Sequence, residues 1–193
     1  MARAGVTRAR VEESAVELAD ADGLDAVTIS ALARRLGVQP ASMYAHVAGV
    51  AALRELLHRR ALAELAHLVE NGIAGRAGTD ALVEFAGAHR LMAESHPGLW
   101  EVLQKPAEPE VTASPEAARV ADLQLAVLRG YGLTGADAVH ATRFVGATLN
   151  GFVTLERSGA FAHRDVDVET SWALALDALD RSLRQWPGGA SSA

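Results

Sequence analysis

Two short patterns in this chain have the spacing of known chemical sites. Gly130, Gly132 and Gly135 match G-x-G-x-x-G, whose glycines let a backbone approach a dinucleotide pyrophosphate. Glu64 and His67 match Glu-x-x-His, half of the ligand set of a carboxylate-bridged di-iron bundle. A dinucleotide site needs a strand before its glycines, but a helix is predicted there, and the chain has no second Glu-x-x-His pair. We therefore predict an inter-helix turn and a surface pair on a helix.

Other catalytic classes lack their residues as well. The 193-residue chain contains no cysteine, which excludes a disulfide framework, a thiolate metal site and a thiol nucleophile. It has no His-Glu-x-x-His, Gly-x-Ser-x-Gly or Walker pattern. The sequence therefore predicts a protein that is not an enzyme and that needs neither a cofactor nor a metal.

Residues 28–47 are the most informative stretch, because they predict two short helices joined by a tight turn. Thr28 is a good N-cap for the first helix, and Gly37 stands where that helix must end with positive φ. Pro40 is tolerated only in the first turn of a new helix, so it sets the second start. Met43 faces inward at helical spacing, in the manner of a helix-turn-helix whose second helix fits the major groove. The alternative is a helical hairpin with no role in nucleic-acid binding.

The same stretch, TISALARRLGVQPASMYAHV, resembles the TetR family of one-component bacterial regulators. It shares the Thr-capped helix, the Leu-Gly-Val turn and the Tyr-x-His-Val ending, and the resemblance is close over residues 7–57. It implies an all-α fold with an N-terminal three-helix helix-turn-helix domain, a long linker helix and a C-terminal helical bundle that dimerises. The resemblance and the outward positions predict these DNA contacts: Arg8, Thr28, Ser30, Gln39, Ala41, Ser42, Tyr44 and His46. Tyr44 and His46 are expected on phosphates, and Gln39, Ala41 and Ser42 near base edges.

Two positions depart from the family pattern. Family members usually carry Lys near the start of the fourth helix, where this chain has Ala48-Gly49-Val50. Ser30 stands where some members place a base-reading Arg. Both changes predict weaker electrostatic attraction to DNA, with backbone N–H groups as a replacement at the start of that helix.

The net charge of −6 is unevenly distributed. Residues 1–60 carry a charge of +1 and residues 61–193 a charge of −7. Phosphate binding needs local rather than global positive charge, and Arg3, Arg8 and Arg10 are near the first helix. An ordinary charged surface explains these arginines equally well. Neither a signal peptide nor an apolar run long enough to span a bilayer is present, which predicts a cytoplasmic protein without membrane contact.

Three regions are predicted along the chain: a DNA-binding domain at 1–50, a ligand-binding and dimerisation domain at 51–186, and a disordered tail at 187–193. Ala and Leu dominate the apolar residues, which favours helix over sheet. Thr79 and Asp167 are predicted helix caps, and Thr134 with Asp137 fits a capping box. The helices are expected near residues 7–21, 28–36, 40–46, 50–73, 79–95, 98–104, 115–131, 135–158 and 168–186.

The last two predicted helices carry more apolar residues than one buried face requires. The segment at 150–161, NGFVTLERSGAF, also resembles a G-F-x-x-L-E-x-x-G-x-F pattern of a TetR subgroup. Two such helices packed against their symmetry mates give a four-helix dimer interface, while burial inside a monomeric bundle is the alternative. The interface is predicted at Phe152, Leu155, Trp172, Leu176 and Leu183.

A small-molecule pocket is predicted in the second domain, because Met and aromatic side chains suit irregular apolar ligands. For each of these residues a plain core position is the alternative. The predicted lining is Leu91, Met92, Trp100, Leu103, Leu123, Val127, His140 and Phe144. The sequence thus favours a homodimeric repressor that an unidentified small apolar or amphipathic effector releases from a palindromic operator on double-stranded DNA. The alternative is a helical enzyme or small-molecule carrier with a vestigial helix-turn-helix.

Overall fold

The structure is a computed structural model that describes residues 6–187, and these form ten α-helices and one 3-10 helix. No strand occurs among the described residues, in agreement with the predicted all-α class. The nine predicted helices are all present, with ends that differ by at most three residues. Arg3 and residues 188–193 of the predicted tail lie outside the described residues. The helices are α1 (Arg8–Asp22), α2 (Ile29–Leu36), α3 (Pro40–Met43), α4 (Val50–Ile73), α5 (Gly78–Ser95), α6 (Pro97–Leu103), α7 (Pro109–Thr112), α8 (Pro115–Arg129), α9 (Gly135–Arg157) and α10 (Val168–Arg184).

Two short elements were not expected from the sequence. The 3-10 helix Leu24–Ala26 follows α1, and α7 lies inside the predicted loop at 105–113. Pro109 opens α7, and the Glu108 carbonyl accepts from the Thr112 amide at 3.0 Å. Elements of three or four residues are too short to show an apolar period, which is why the sequence pattern does not reveal them.

The described chain divides into two compact units. The first contains residues 6–64 and 92–118, and the second contains residues 65–91 and 119–187. This division differs from the predicted boundary after residue 50, because α6 packs extensively against α1 and joins the helix-turn-helix region. No helix among the described residues is long and apolar enough to cross a membrane.

Hydrogen bonds tie α6 to the end of α1 within the first unit. The Asp20 carboxylate accepts from the Gly98 amide at 2.8 Å and lies 2.9 Å from His96 Nδ1. The Glu101 carboxylate accepts from the Leu24 amide at 3.2 Å. Asp20 therefore satisfies a first-turn N–H of α6, while Glu101 does the same for the 3-10 helix.

The glycine pattern at 130–135 is an inter-helix turn, as predicted. Helix α8 ends before it and α9 begins at its last glycine, so no strand precedes it. Gly132 has φ of 75° and donates its amide to the Arg129 carbonyl at 3.0 Å. Thr134 occupies the N-cap position of α9, but its side chain makes no capping hydrogen bond, so the predicted capping box is wrong.

An arginine joins three helices of the second unit. Arg90 on α5 donates from Nε to Glu156 of α9 at 3.0 Å and from Nη1 to Glu169 of α10 at 2.7 Å. Its guanidinium also lies 5.4 Å from the ring of Trp172. The hydrogen bonds that Arg90 donates to Glu169 and Glu156 raise the pKa of its guanidinium, so it stays charged.

The segment resembling G-F-x-x-L-E-x-x-G-x-F forms the end of α9 and the turn after it. Phe152 packs against Phe161 and Trp172, with ring centroids 5.1 and 5.0 Å apart. Gly159 has φ of 74°, the left-handed conformation that ends a helix most easily in glycine. Together with Glu156 bound to Arg90, these residues fix the exit of α9 onto α10.

A buried carboxylate gathers a second polar cluster in the same unit. Asp180 of α10 accepts from Thr79 and Tyr131 at 2.7 Å each, and from Arg184 Nε at 2.8 Å. Burial alone would raise the pKa of Asp180, but these hydrogen bonds outweigh it and hold the pKa at about 2.

Thr79 was expected to cap α5. That helix begins at Gly78 instead, and the Thr79 hydroxyl serves Asp180. Asp167, by contrast, caps α10 as predicted, accepting from the Thr170 amide at 2.9 Å.

Candidate nucleic-acid interface

Local sequence signals build the helix-turn-helix from α2, a tight turn and α3. Thr28 Oγ1 accepts from the Ala31 amide at 3.1 Å and so caps α2. Gly37 ends α2 in the left-handed conformation, with φ of 69°. Pro40 occupies the first turn of α3, where its missing N–H costs nothing. These three signals confirm the predicted arrangement.

Helix α3, the second helix of the helix-turn-helix, is shorter than predicted, and buried apolar side chains hold it against the first unit. Helix α3 ends at Met43, and residues 44–46 continue as a turn instead of a helix to residue 46. Met43 and Val47 are buried against the core of the first unit. Anchoring on one side leaves the opposite side of α3 facing outward.

The predicted DNA contacts around α3 are solvent-accessible. Gln39, Ala41 and Ser42 are exposed, and 62% of Tyr44 is exposed, which is unusual for an aromatic residue. His46 is half-buried. The chain thus presents an amide, a hydroxyl and a phenol on one short element, the donor types that contact base edges and phosphates.

Two arginines of α2 were not among the predicted contacts. Arg34 and Arg35 stand in its last turn, where positive charge is favourable to the helix dipole. Arg35 forms an ion pair with Glu17 of α1 at 2.7 Å, so it joins two helices of the domain. Arg34 is exposed and adds positive charge beside the turn. The sequence feature that could have drawn attention to these two positions is the Arg-Arg pair directly before Leu36 and Gly37.

Arg8 and Thr28 border different parts of α4. Arg8 is exposed and lines a surface recess with residues of α4 between Leu56 and Glu64. Thr28 lines a second recess with residues of the first two turns of α4. The recess beside Thr28 extends along α4 from Val50 to Leu57, and the one beside Arg8 extends from Leu56 to Glu64. The assignment of Arg8 to the same DNA surface stays a prediction, as does that of Thr28 and Ser30, both exposed.

The start of α4 has no lysine to offer a phosphate. Gly49 precedes the helix with φ of 110°, and its carbonyl accepts from the Leu53 amide at 3.1 Å. Val50 follows and is 46% exposed. The amides of the first turn have no partner within the helix itself, so they can meet a phosphate here.

Comparison with known proteins decides what this arrangement is. Residues 13–55 match the family model described as bacterial regulatory proteins, tetR family, and residues 82–179 match the tetracyclin repressor-like C-terminal domain. The chain is 35% identical to the uncharacterized HTH-type transcriptional regulator Rv0681 of Mycobacterium tuberculosis, over 98% of this chain and 88% of that protein. The chain belongs to the TetR family. It is accordingly a DNA-binding transcriptional regulator with a helix-turn-helix.

Two further relatives agree with this membership. The uncharacterized HTH-type transcriptional regulator YobS of Bacillus subtilis is 29% identical over 97% of this chain and 94% of its own length. The crystal structure of the TetR family protein ActR from Streptomyces coelicolor, in complex with actinorhodin, aligns with a TM-score of 0.76 at 21% identity. That alignment covers 96% of this chain and all of ActR, so the fold is shared throughout.

The predicted ligand-pocket residues are divided between the two units. The first unit contains Met92, Trp100 and Leu103, and the second contains the other five. Leu91 and His140 are exposed, and Phe144 is 40% exposed. Leu91 and its buried neighbour Met92 point in different directions from α5. The remaining five residues of the predicted lining are buried or half-buried: Met92, Trp100, Leu103, Leu123 and Val127. A single pocket lined by the whole set stays a prediction.

The predicted dimer residues have different environments within one chain. Trp172, Leu176 and Leu183 are buried, and Phe152 is half-buried. Only Leu155 of this set is exposed. Trp172, Leu176 and Leu183 therefore contribute to the chain's own core, and a dimer interface centred on the five residues stays a prediction.

Proposed function

We propose that the chain is a homodimeric repressor that binds a palindromic operator in the bacterial cytoplasm, releases it when a small molecule binds, and has no catalytic activity. The observation that carries this proposal is the exposure of the polar side chains on and around α3. That helix is anchored to the core by buried Met43 and Val47. The complex of ActR with actinorhodin supports a small-molecule input for this family member too. A ligand releases DNA only if it binds the non-binding arrangement more tightly.

Substitutions at Tyr44 and Gln39 test the reading surface. Tyr44→Ala is expected to weaken binding about tenfold on every duplex, because a phosphate contact carries no sequence information. Gln39→Ala is expected to change the preference at one base pair by about 1–3 kcal/mol, because an amide reads a base edge in bidentate fashion. Fluorescence anisotropy measures both, on a duplex from the region upstream of its own gene and on its single-base variants.

A matched control is available in Gln185, which is exposed at the end of α10 in the other unit. Gln185→Ala is expected to bind all duplexes as the wild type does. Equal affinities of Tyr44→Ala, Gln39→Ala and wild type for every duplex would remove α3 from the reading surface. A wild type that binds no upstream duplex would contradict the proposed function itself.

The dimer surface is supported by apolar side chains that α9 and α10 leave exposed. Phe144 and Leu155 on α9 are 40% and 47% exposed, and Leu174 on α10 is 62% exposed. Gly151 lies between the two α9 residues, and a Cβ there would meet nothing within 4 Å. Since α9 and α10 pack together, these residues offer an apolar two-helix surface of the kind that a second copy covers.

Leu174→Asp is expected to convert the dimer to monomers at micromolar concentration, because the charge would be desolvated in the interface. Sedimentation velocity measures the change. Val83→Asp, at a 43% exposed position on α5, serves as the control and should remain dimeric. Leu176→Asp is unsuitable as a test, because Leu176 is only 7% exposed and a charge at this buried position is expected to destabilise the fold of the single chain. A Leu174→Asp protein that stays dimeric contradicts this surface.

A further inference from the structure

A cavity of about 380 Å³ lies within the first unit, apart from the predicted ligand pocket. It is bordered by the 3-10 helix, α4, α6 and the segment around α7. Its volume lies in the range of small-molecule sites, roughly 300–1,000 Å³. Leu24, Val102 and Val111 provide apolar walls, and His58 is among the polar residues that line it. None of the residues that line this cavity belongs to the predicted DNA contacts or to the predicted ligand pocket.

His58 is the informative member of the lining. It is only 9% exposed, and within residues 6–187 no protein group hydrogen-bonds with its ring. Burial lowers the pKa of His58, so the imidazole is neutral near pH 7 and offers one donor and one acceptor. Buried His89, by comparison, has its Nδ1 2.8 Å from the Phe85 carbonyl. Buried polar groups normally have a partner, so the His58 ring calls for one from the cavity.

The charges around the cavity do not favour an ionised occupant. Cationic Arg54 and Lys105 share the lining with the carboxylates of Asp25, Glu55 and Glu108. Glu55 is already bound to Arg59 at 3.0 Å, and Lys105 lies 3.6 Å from Glu101. With both signs present, neither an anion nor a cation gains a clear advantage. An uncharged molecule with one polar group meets the chemistry of the walls and of the neutral imidazole.

We propose that this cavity binds a small uncharged amphipathic molecule, whose hydroxyl or carbonyl group hydrogen-bonds with the His58 ring while its apolar part lies against Leu24, Val102 and Val111. Leu24 belongs to the 3-10 helix that connects α1 to α2, and its amide is bonded to Glu101 of α6. An occupant therefore touches the segment that leads into the helix-turn-helix. Its effect on DNA affinity rests on the proposed function, whereas binding in the cavity does not.

A naphthalene series tests the chemistry of the site on the full-length protein. 2-Naphthol is uncharged and carries a hydroxyl, naphthalene lacks the hydroxyl, and 2-naphthoate is an anion. We expect 2-naphthol to bind at least fivefold more tightly than either analogue by isothermal titration calorimetry. Its chemical-shift changes in ¹H–¹⁵N spectra should cluster at residues 24–25, 54–58 and 102–111.

Substitutions locate the hydrogen bond. His58→Phe should weaken 2-naphthol binding about five- to tenfold, the usual effect of one lost hydrogen bond. His67→Phe, at an exposed position on the same helix, should leave binding unchanged. Should His58→Phe fail to fold, Leu24→Trp provides a second test. Leu24 is half-buried, so a larger ring can fill the cavity, and binding should be lost.

The outcomes separate the site from its link to DNA. Shifts that cluster elsewhere, equal affinity of naphthol and naphthoate, or wild-type affinity in His58→Phe or Leu24→Trp overturn the site. Naphthol that binds the cavity but leaves the affinity for an upstream duplex unchanged overturns the regulatory link. A wild type that binds naphthol in the cavity but binds no upstream duplex supports the site and contradicts the proposed function instead.

Discussion

Gly98→Ala is expected to lower the free energy of unfolding by about 3 kcal/mol and to abolish DNA binding at micromolar protein concentration. A Cβ added to Gly98 would overlap the carbonyl carbon and oxygen of Ala19 and come within 2.6 Å of its Cβ. The overlapped atoms are mainly backbone of α1, which cannot move aside as the end of a flexible side chain can. Helix α6 would have to separate from α1, and the hydrogen bond between Gly98 and Asp20 would be lost with it.

The measurement is urea unfolding followed by circular dichroism, together with anisotropy on an upstream duplex. Gly87→Ala is the matched control, because Gly87 is also helical and exposed, and a Cβ there meets nothing within 4 Å. That variant should be as stable as the wild type or more stable by up to about 1 kcal/mol, the helix preference of Ala over Gly. A Gly98→Ala protein that matches Gly87→Ala in stability would show that α1 and α6 are not packed this closely.

The role of α6 follows from the same contact. Asp20 at the end of α1 and Glu101 of α6 each bind an amide across the joint, at 2.8 and 3.2 Å. Helices α1 and α6 are therefore held by directional bonds as well as by packing. A ligand that displaces α6 therefore also acts on α1, which packs against α2, the first helix of the helix-turn-helix.

Most of the helix-turn-helix could be predicted because its signals are local. Thr28, Gly37 and Pro40 each act on atoms within five residues of themselves, as a cap, a left-handed end and a helix start. The contacts that organise the rest of each unit are not local. Gly98 and Asp20 are 78 residues apart in the chain, and Thr79 and Asp180 are 101 apart. No periodic pattern links such pairs.

The prediction for α9 and α10 shows a second limit. The sequence indicated correctly that both helices carry apolar residues on more than one side, but periodicity does not say which side faces the chain's own core. Leu176 turned out to be buried and Leu174 exposed, although both are leucines of one helix. The sequence also did not single out His58. The cavity that it lines is completed by Val102 and Val111, which are 44 and 53 residues further along the chain, and no local pattern links these positions.

Asp180→Ala is expected to lower the free energy of unfolding by about 2–3 kcal/mol at neutral pH. Thr79, Tyr131 and Arg184 all lose the acceptor that joins α5, α10 and the turn after α8. Leaving buried polar groups without partners costs about 1–3 kcal/mol. Asp177 provides the control, because it stands on the same helix but pairs with Arg181 at an exposed site. Asp177→Ala should change stability by less than about 0.5 kcal/mol.

The Asp180 contribution should also depend on pH in a defined direction. Its pKa is about 2 in the folded chain against an ordinary value of 3.8, so the unfolded chain takes up the proton first. The stabilisation, about 2 kcal/mol, is complete above roughly pH 5 and is lost as the pH falls from about 4 to about 2. Unfolding free energies of wild type and Asp180→Asn, measured in urea at several pH values in this range, should therefore converge as the pH falls. The wild type and Asp177→Asn should differ little at every pH. A difference between wild type and Asp180→Asn that stays constant down to about pH 2 would mean that Asp180 is not held ionised by Arg184, Thr79 and Tyr131, and that the cluster joins the helices by packing alone.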